Sequence, residues 1–129
     1  MVTNNIEIIE LLSNGKPTVH STGGILSRDN RTCLVGRNAE NSFEEINADI
    51  GFFSAKALGL DGVISDCTQE EVFVRKSLLR NSDKKVALFD KYKNGKTSSF
   101  KQCSLRDIDI LISDETDAIS RFKEMCEIM

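Results

Sequence analysis

The chain of 129 residues has a single histidine, a single proline and no two cysteines close enough to form a CxxC pair. Each scarcity removes a class of protein. His20 cannot complete a zinc set with Cys33, Cys67, Cys103 or Cys126 at ligand-like spacing, so no metal site is expected. The four cysteines read instead as reduced thiols of a cytoplasmic protein. One proline and eight scattered glycines leave no long linker or low-complexity segment. No apolar run approaches the ~18 residues of a membrane span, and no basic-then-apolar signal segment opens the chain. Positive charge is not in excess either: the formal net charge is −3 and the pI about 5.2. A surface built to grip a nucleic-acid backbone gathers Lys and Arg on one face, so direct DNA contact by these residues is not expected.

What is present is the makings of one α/β domain. Hydrophobic residues are 40% and charged residues 29% of the chain, a globular profile at a length that supports one core. Ile6, Ile9 and Leu12 predict a short amphipathic helix over 5–12, stopped at Asn14-Gly15. Thr18 to Ser21 reads as a brief strand ending in Thr22-Gly23-Gly24. Ala39, Phe43 and Ile46 give a second helix over 37–46, and Ile50 to Ala55 a buried strand. Leu58 to Thr68 reads as a loop.

Thr68 and Glu71 have the Thr-x-x-Glu form of a capping box. They open a helix to about Asn81, whose early Glu70 and Glu71 and later Arg75, Lys76 and Arg80 suit the helix dipole. Val86 to Phe89 and Ile108 to Ile112 are apolar strands, with a weaker one over 99–104. Asp114 is expected to cap a last helix carrying Ala118, Ile119, Phe122, Met125, Cys126 and Met129 along one stripe. Buried strands without polar alternation, separated by helices, point to a largely parallel sheet covered on both faces. Ligands then belong beyond the carboxyl ends of the strands.

Three strand exits could hold an anion. Val2-Thr3-Asn4-Asn5 offers a hydroxyl, amides and free helix N-terminal N–H groups, though Asn4 also reads as a plain helix cap. Ser21-Thr22-Gly23-Gly24 permits close backbone approach, or simply a turn. Asp90 to Lys96 follows the most apolar strand and places a lysine, Lys93, where it could reach a phosphate. The other basic residues of this group, Lys84, Lys85, Lys91 and Lys96, surround the same strand and its exit. Glu71 could serve as a general base, but its places as the partner of Thr68 and of Arg75 favour a structural role. His20 is a minor candidate for the pocket wall.

In order and spacing these segments resemble the sensor domain of the DeoR family of sugar-metabolism regulators. The residues that carry the likeness are Val2 to Asn5, Thr22-Gly23-Gly24-Ile25-Leu26, Leu34-Val35-Gly36, Asp49 with Phe52-Phe53, Gly59 to Gly62, Glu71 with Arg75, Asp90 to Lys93, and Ile108 to Ile112. The likeness spans roughly residues 2 to 114. It implies a three-layer α/β/α fold similar to ribose-5-phosphate isomerase and the CoA-transferase-like enzymes. It also implies a phosphorylated-sugar effector held by Thr3, Asn4, Gly23, Gly24, Glu71 and Lys93, without cofactor or metal.

Related isomerases carry an acidic pair after the strand that here ends Phe53-Ser54-Ala55-Lys56, where this sequence has no carboxylate. A non-enzymatic module is therefore expected. The alternatives are a sugar-phosphate isomerase-like enzyme and a vestigial oligomerisation module. On this likeness residues 1–129 form an effector-binding domain without the family's DNA-binding domain and without the sensor's first strand and phosphate loop. An uncovered sheet edge and self-association into a homo-oligomer are expected consequences.

Overall fold

A computed structural model describes residues 1–115 and 119–129. Its centre is a four-stranded, all-parallel sheet in the order β11-β10-β8-β5, formed by Glu127–Ile128 (β11), Ile110–Ile112 (β10), Ser82–Leu88 (β8) and Ala48–Phe53 (β5). A second pair, Val2–Thr3 (β1) and His20–Ser21 (β2), is also parallel. Two antiparallel pieces complete the strands. Ile25–Leu26 (β3) pairs with Leu34–Val35 (β4), and Val63–Asp66 (β7) lies between Ala57–Leu58 (β6) and Phe100–Ser104 (β9). The helices are Ile6–Leu12 (α1), Arg37–Glu44 (α2) and Gln69–Arg80 (α3). This is the expected α/β class with a largely parallel sheet, and it fits the three-layer α/β/α arrangement.

Register explains which faces are wet. In β5, Gly51 and Phe53 are buried and pair with Lys85 and Ala87 of β8, while Ile50 and Phe52 are exposed and pair with Lys84 and the buried Val86. Phe53 and Ala87 pack with Leu58, Ile64 and Leu105 from the antiparallel side, and with Leu111, Ile119 and Phe122. Each large side chain buried here contributes about 1.5–3 kcal/mol. A second cluster joins Val35, Ala39 and Phe43 to Val74 of α3, with Val2, Ile46 and Leu78 at its edge. Leu78 borders both clusters, so α3 ties the two parts of the core together.

Three expectations are corrected and one further element is added. The loop read over 58–68 contains β7, because the turn Gly59–Gly62 reverses the chain and Ile64 is fully buried between β6 and β9. The hairpin β3–β4 was not foreseen; its strands are two residues each and show no period. Thr68 and Glu71 do not form a capping box. The Thr68 hydroxyl donates to Glu71 Oε2 at 2.7 Å, and no side chain caps α3; a true capping box lies at Ser104 and Asp107.

The last helix does not run to Met129. Ser120–Phe122 is a 3-10 turn, and Glu127–Ile128 extends to pair with β10. The free edge of β10 offers hydrogen bonds that an amphipathic stripe cannot reveal. The start of that helix and Ala118 lie outside the described residues. Ile119 and Phe122 are core as expected, and Cys126 packs against it.

α2 and α3 are joined at the surface by Glu44, which accepts from Arg80 and, at 2.9 Å, from Asn81. These bonds bring the Glu44 carboxyl down to about 2. A depressed carboxyl contributes stability above its unfolded pKa and loses it as pH falls through the folded one. The Glu44 resonance is therefore expected to titrate below the ordinary glutamate range by NMR. The side chain is 37% exposed, so Glu44→Gln should change stability at neutral pH by less than about 1 kcal/mol.

Candidate functional site

The exits of β1, β5, β7 and β8 converge on one open cleft of about 650 Å³, with the N-terminal half of α3 and the segment 29–33 closing its sides. This is the position that a parallel sheet reserves for ligands, where strands end and side chains from distant segments meet. Thr3 and Asn4 enter from β1, Phe53 and Ser54 from β5, Asp66 and Cys67 from β7, and Glu71 and Arg75 from α3. Lys93 comes from the loop after β8.

Each predicted contact has a definite anchor. Thr3 is buried, and its Oγ1 accepts from the Asn5 backbone N–H at 3.1 Å, leaving the hydroxyl hydrogen for another acceptor. Asn4 is not the helix cap. Asn5 caps α1, accepting from the Ile8 N–H at 3.0 Å, while Asn4 Nδ2 donates to the Leu34 carbonyl at 3.0 Å. One hydrogen of that amide remains for the cleft.

Lys93 is aimed by its loop. Asp90 Oδ1 accepts from the N–H groups of Tyr92 and Lys93 at 3.0 and 3.2 Å, making an Asx turn. The Lys93 carbonyl accepts from Leu58 N–H at 2.9 Å. Its ammonium then donates to Ser54 Oγ at 2.9 Å and lies 5.9 Å from the centre of the Phe89 ring.

The same cleft is lined by a buried ionic knot. Arg75 donates to Asp66 Oδ2 at 2.7 Å and to Glu71 Oε1 at 3.1 Å, and both carboxylate side chains are only 5% exposed. Asp66 also accepts from the N–H groups of Lys56 and Cys67. Burial, the largest single influence, would raise its carboxyl, but the Arg75 charge and the hydrogen bonds from Cys67 and Arg75 together outweigh it and hold the carboxyl below the usual range. Glu71 accepts from Thr68 and from Asn30 Nδ2 at 3.1 Å, which pins the segment 29–33 to α3. Burial and then the Glu71 charge push the Cys33 thiol upward, so it is a poor nucleophile.

Against known families, residues 1–115 match the DeoR C terminal sensor domain. The chain belongs to that family. Similar regulators include the HTH-type transcriptional regulator GolR of Listeria innocua, 35% identical over 82% of this chain and 41% of that protein. The HTH-type transcriptional regulator GlpR of Haloferax volcanii is 32% identical over 93% of this chain and 47% of its own. The HTH-type transcriptional repressor GlcR of Bacillus subtilis is 25% identical over 88% and 44%. This DeoR-type sensor domain thus spans a little under half the length of these three curated relatives. Their names carry regulation of transcription rather than catalysis.

Of the site residues expected in the sensor domain, Thr3, Asn4, Glu71 and Lys93 line the cleft. Gly23 and Gly24 do not; they form a turn with φ of +67° and +110°, and Gly24 packs against Val35 and Ala39. His20 is exposed and away from the cleft. Ser54, Asp66 and Asn30 were missed. Asp66 would have emerged as a strand-exit residue had β7 been recognised, but nothing in sequence pairs it with Arg75. Among the described residues no group of three or more His, Cys, Asp and Glu could hold a metal ion, and no helix is long and apolar enough to cross a membrane.

Proposed function

We propose that this sensor domain binds a small phosphorylated sugar or related metabolite as an effector and does no chemistry on it. The observation that carries the reading is that Lys93, Thr3 and Asn4 line one cleft together with the Asp66, Glu71 and Asn30 polar groups. Lys93 is bonded to a neutral hydroxyl rather than a carboxylate, so its charge is available to a phosphate. Arg75 is not: both arms of its guanidinium are committed to carboxylates. The polar groups of Asn30, Asp66 and Glu71 that line the cleft suit the hydroxyls of a sugar. Lack of chemistry is supported by the same bonds. Asp66 and Glu71 each hold several donors, so neither is poised to shuttle a proton between sugar carbons.

In a longer regulator of this family the effector would act by binding one arrangement of the assembly more tightly than another. DNA contact would come from the part of such a regulator outside the sensor. A cytoplasmic setting goes with this role.

Thermal unfolding with a panel of phosphorylated sugars tests the reading. A matching phosphosugar is expected to raise the melting temperature, and Lys93→Ala to weaken binding about 10- to 100-fold, the loss of one charged hydrogen-bond partner. Equal stabilisation by the unphosphorylated sugar would defeat the anion site. Aldose–ketose turnover that Glu71→Gln abolishes would make the protein an enzyme.

A further inference from the structure

The charged side chains that line the cleft are Lys56, Arg75 and Lys93 against Asp29, Asp66 and Glu71. Arg75 is committed to Asp66 and Glu71. The two lysines are not committed to any carboxylate. Lys93 meets only the Ser54 hydroxyl and the face of Phe89. Among the described residues the Lys56 ammonium has no hydrogen bond or ion pair; the residue's one bond is given by its backbone. Asp29 is exposed, and Arg28 and Arg31 lie close to it in the chain.

Lys56 has a fixed root and a free end. Its backbone N–H donates to Asp66 Oδ2 at 3.1 Å, and the preceding Ala55 is buried. Ser54, two residues earlier, holds the Lys93 ammonium at 2.9 Å. Two residues of chain span at most roughly 7 Å, so the root of Lys56 lies close to the residue that holds Lys93. The flexible four-carbon stem of Lys56 then decides how far apart the two ammonium groups stand. The ionic knot restricts what else can come near. Asp66 and Glu71 together exceed Arg75 by one charge, so the knot suits the hydroxyls of a ligand and repels its anions.

We propose, building on the effector reading above, that the effector carries two anionic groups, one met by Lys93 and the other by Lys56. It would be a small sugar phosphate with a second phosphate or a carboxylate. A lysine ammonium is a compact point charge and serves either anion. The cleft, at about 650 Å³, lies within the range of small-ligand sites and has room for both groups and the sugar between them. The chain's net charge is −3. A preference for the more negative ligand would therefore come from these two lysines and not from the field of the whole molecule.

Calorimetric titration of the intact chain tests this with matched ligands. Five- and six-carbon sugar monophosphates are each compared with the corresponding bisphosphate and phosphorylated aldonic acid. At least one doubly anionic ligand is expected to bind about fivefold more tightly than its monophosphate, the worth of one further charge pair near solvent. Which of the two gains tells a second phosphate from a carboxylate. Lys56→Gln is expected to remove that preference, and Lys93→Ala to weaken every ligand in the set. Lys56 is exposed and its bond to Asp66 comes from the backbone, so the glutamine variant keeps the fold and that bond. Monophosphates that bind as tightly as their doubly anionic partners overturn the proposal and leave the effector reading standing. So does a preference that survives Lys56→Gln. Binding of no phosphosugar at all overturns both.

Discussion

Replacing Arg75 by alanine is expected to destabilise the domain by about 3–5 kcal/mol, the range for breaking a buried ion pair from one side. The guanidinium faces two carboxylates at once, and their side chains are only 5% exposed. Without it, Asp66 and Glu71 would share the cleft floor as uncompensated charges. Urea unfolding at neutral pH measures the loss. Arg75→Lys keeps the charge but cannot reproduce the two-armed fork, and should fall between the two.

The pH dependence should invert as well. In the native protein Asp66 is held below its usual range, so its contribution is present above the unfolded pKa of about 3.9 and lost as pH falls through the lower folded value. In Arg75→Ala, burial of Asp66 is left without that counter-charge and raises its carboxyl, so stability should fall as pH rises. Adding Glu71→Gln to Arg75→Ala should recover part of the loss, since one stranded charge is gone. A loss below about 1 kcal/mol with an unchanged pH slope would mean that solvent already screens the knot.

Gly24→Ala is expected to cost roughly 3 kcal/mol or more, strain and overpacking acting together. At φ +110° an L side chain is rarely tolerated, and the new Cβ would sit 2.5 Å from the Val35 carbonyl oxygen and 3.1 Å from Ala39 Cβ. The obstruction is backbone, so no side-chain rotation relieves it. Gly23 supplies the internal control. It also has a positive φ, +67°, but a Cβ there meets nothing within 4 Å, so Gly23→Ala should lose only about 1–2 kcal/mol. Chemical denaturation of the pair separates strain from packing. Equal losses would show that the close approach to Val35 is relieved by movement of β4. Neither substitution is expected to disturb ligand binding directly, because the turn lies outside the cleft.

These two sites mark where local reading stopped. The Gly-Gly pair is visible as a turn, but whether a turn faces a ligand or a neighbouring helix depends on what packs behind it. Lys93 was recognisable because it follows an apolar strand in a loop whose Asp90 and Gly95 are turn formers. Its neighbour Ser54, 39 residues away, was not. Glu71 and Arg75 are one helical turn apart, so their contact follows from helix geometry. Asp66 joins them only because β7 ends beside the start of α3.

The sequence by itself determined α1, α2 and α3, the apolar centres of β8 and β10, and the rule that ligands collect at strand exits. Those properties repeat over a few residues: helical period, charge order along a helix, unbroken apolar runs. Only the tertiary structure decided that β7 lies in a presumed loop, that Glu127–Ile128 extends along β10, and that the exits of β1, β5, β7 and β8 meet in one cleft. Strand pairing and the closing of a cleft join residues far apart in the chain, and a hydrogen bond offered by a distant edge leaves no period in the residues that accept it.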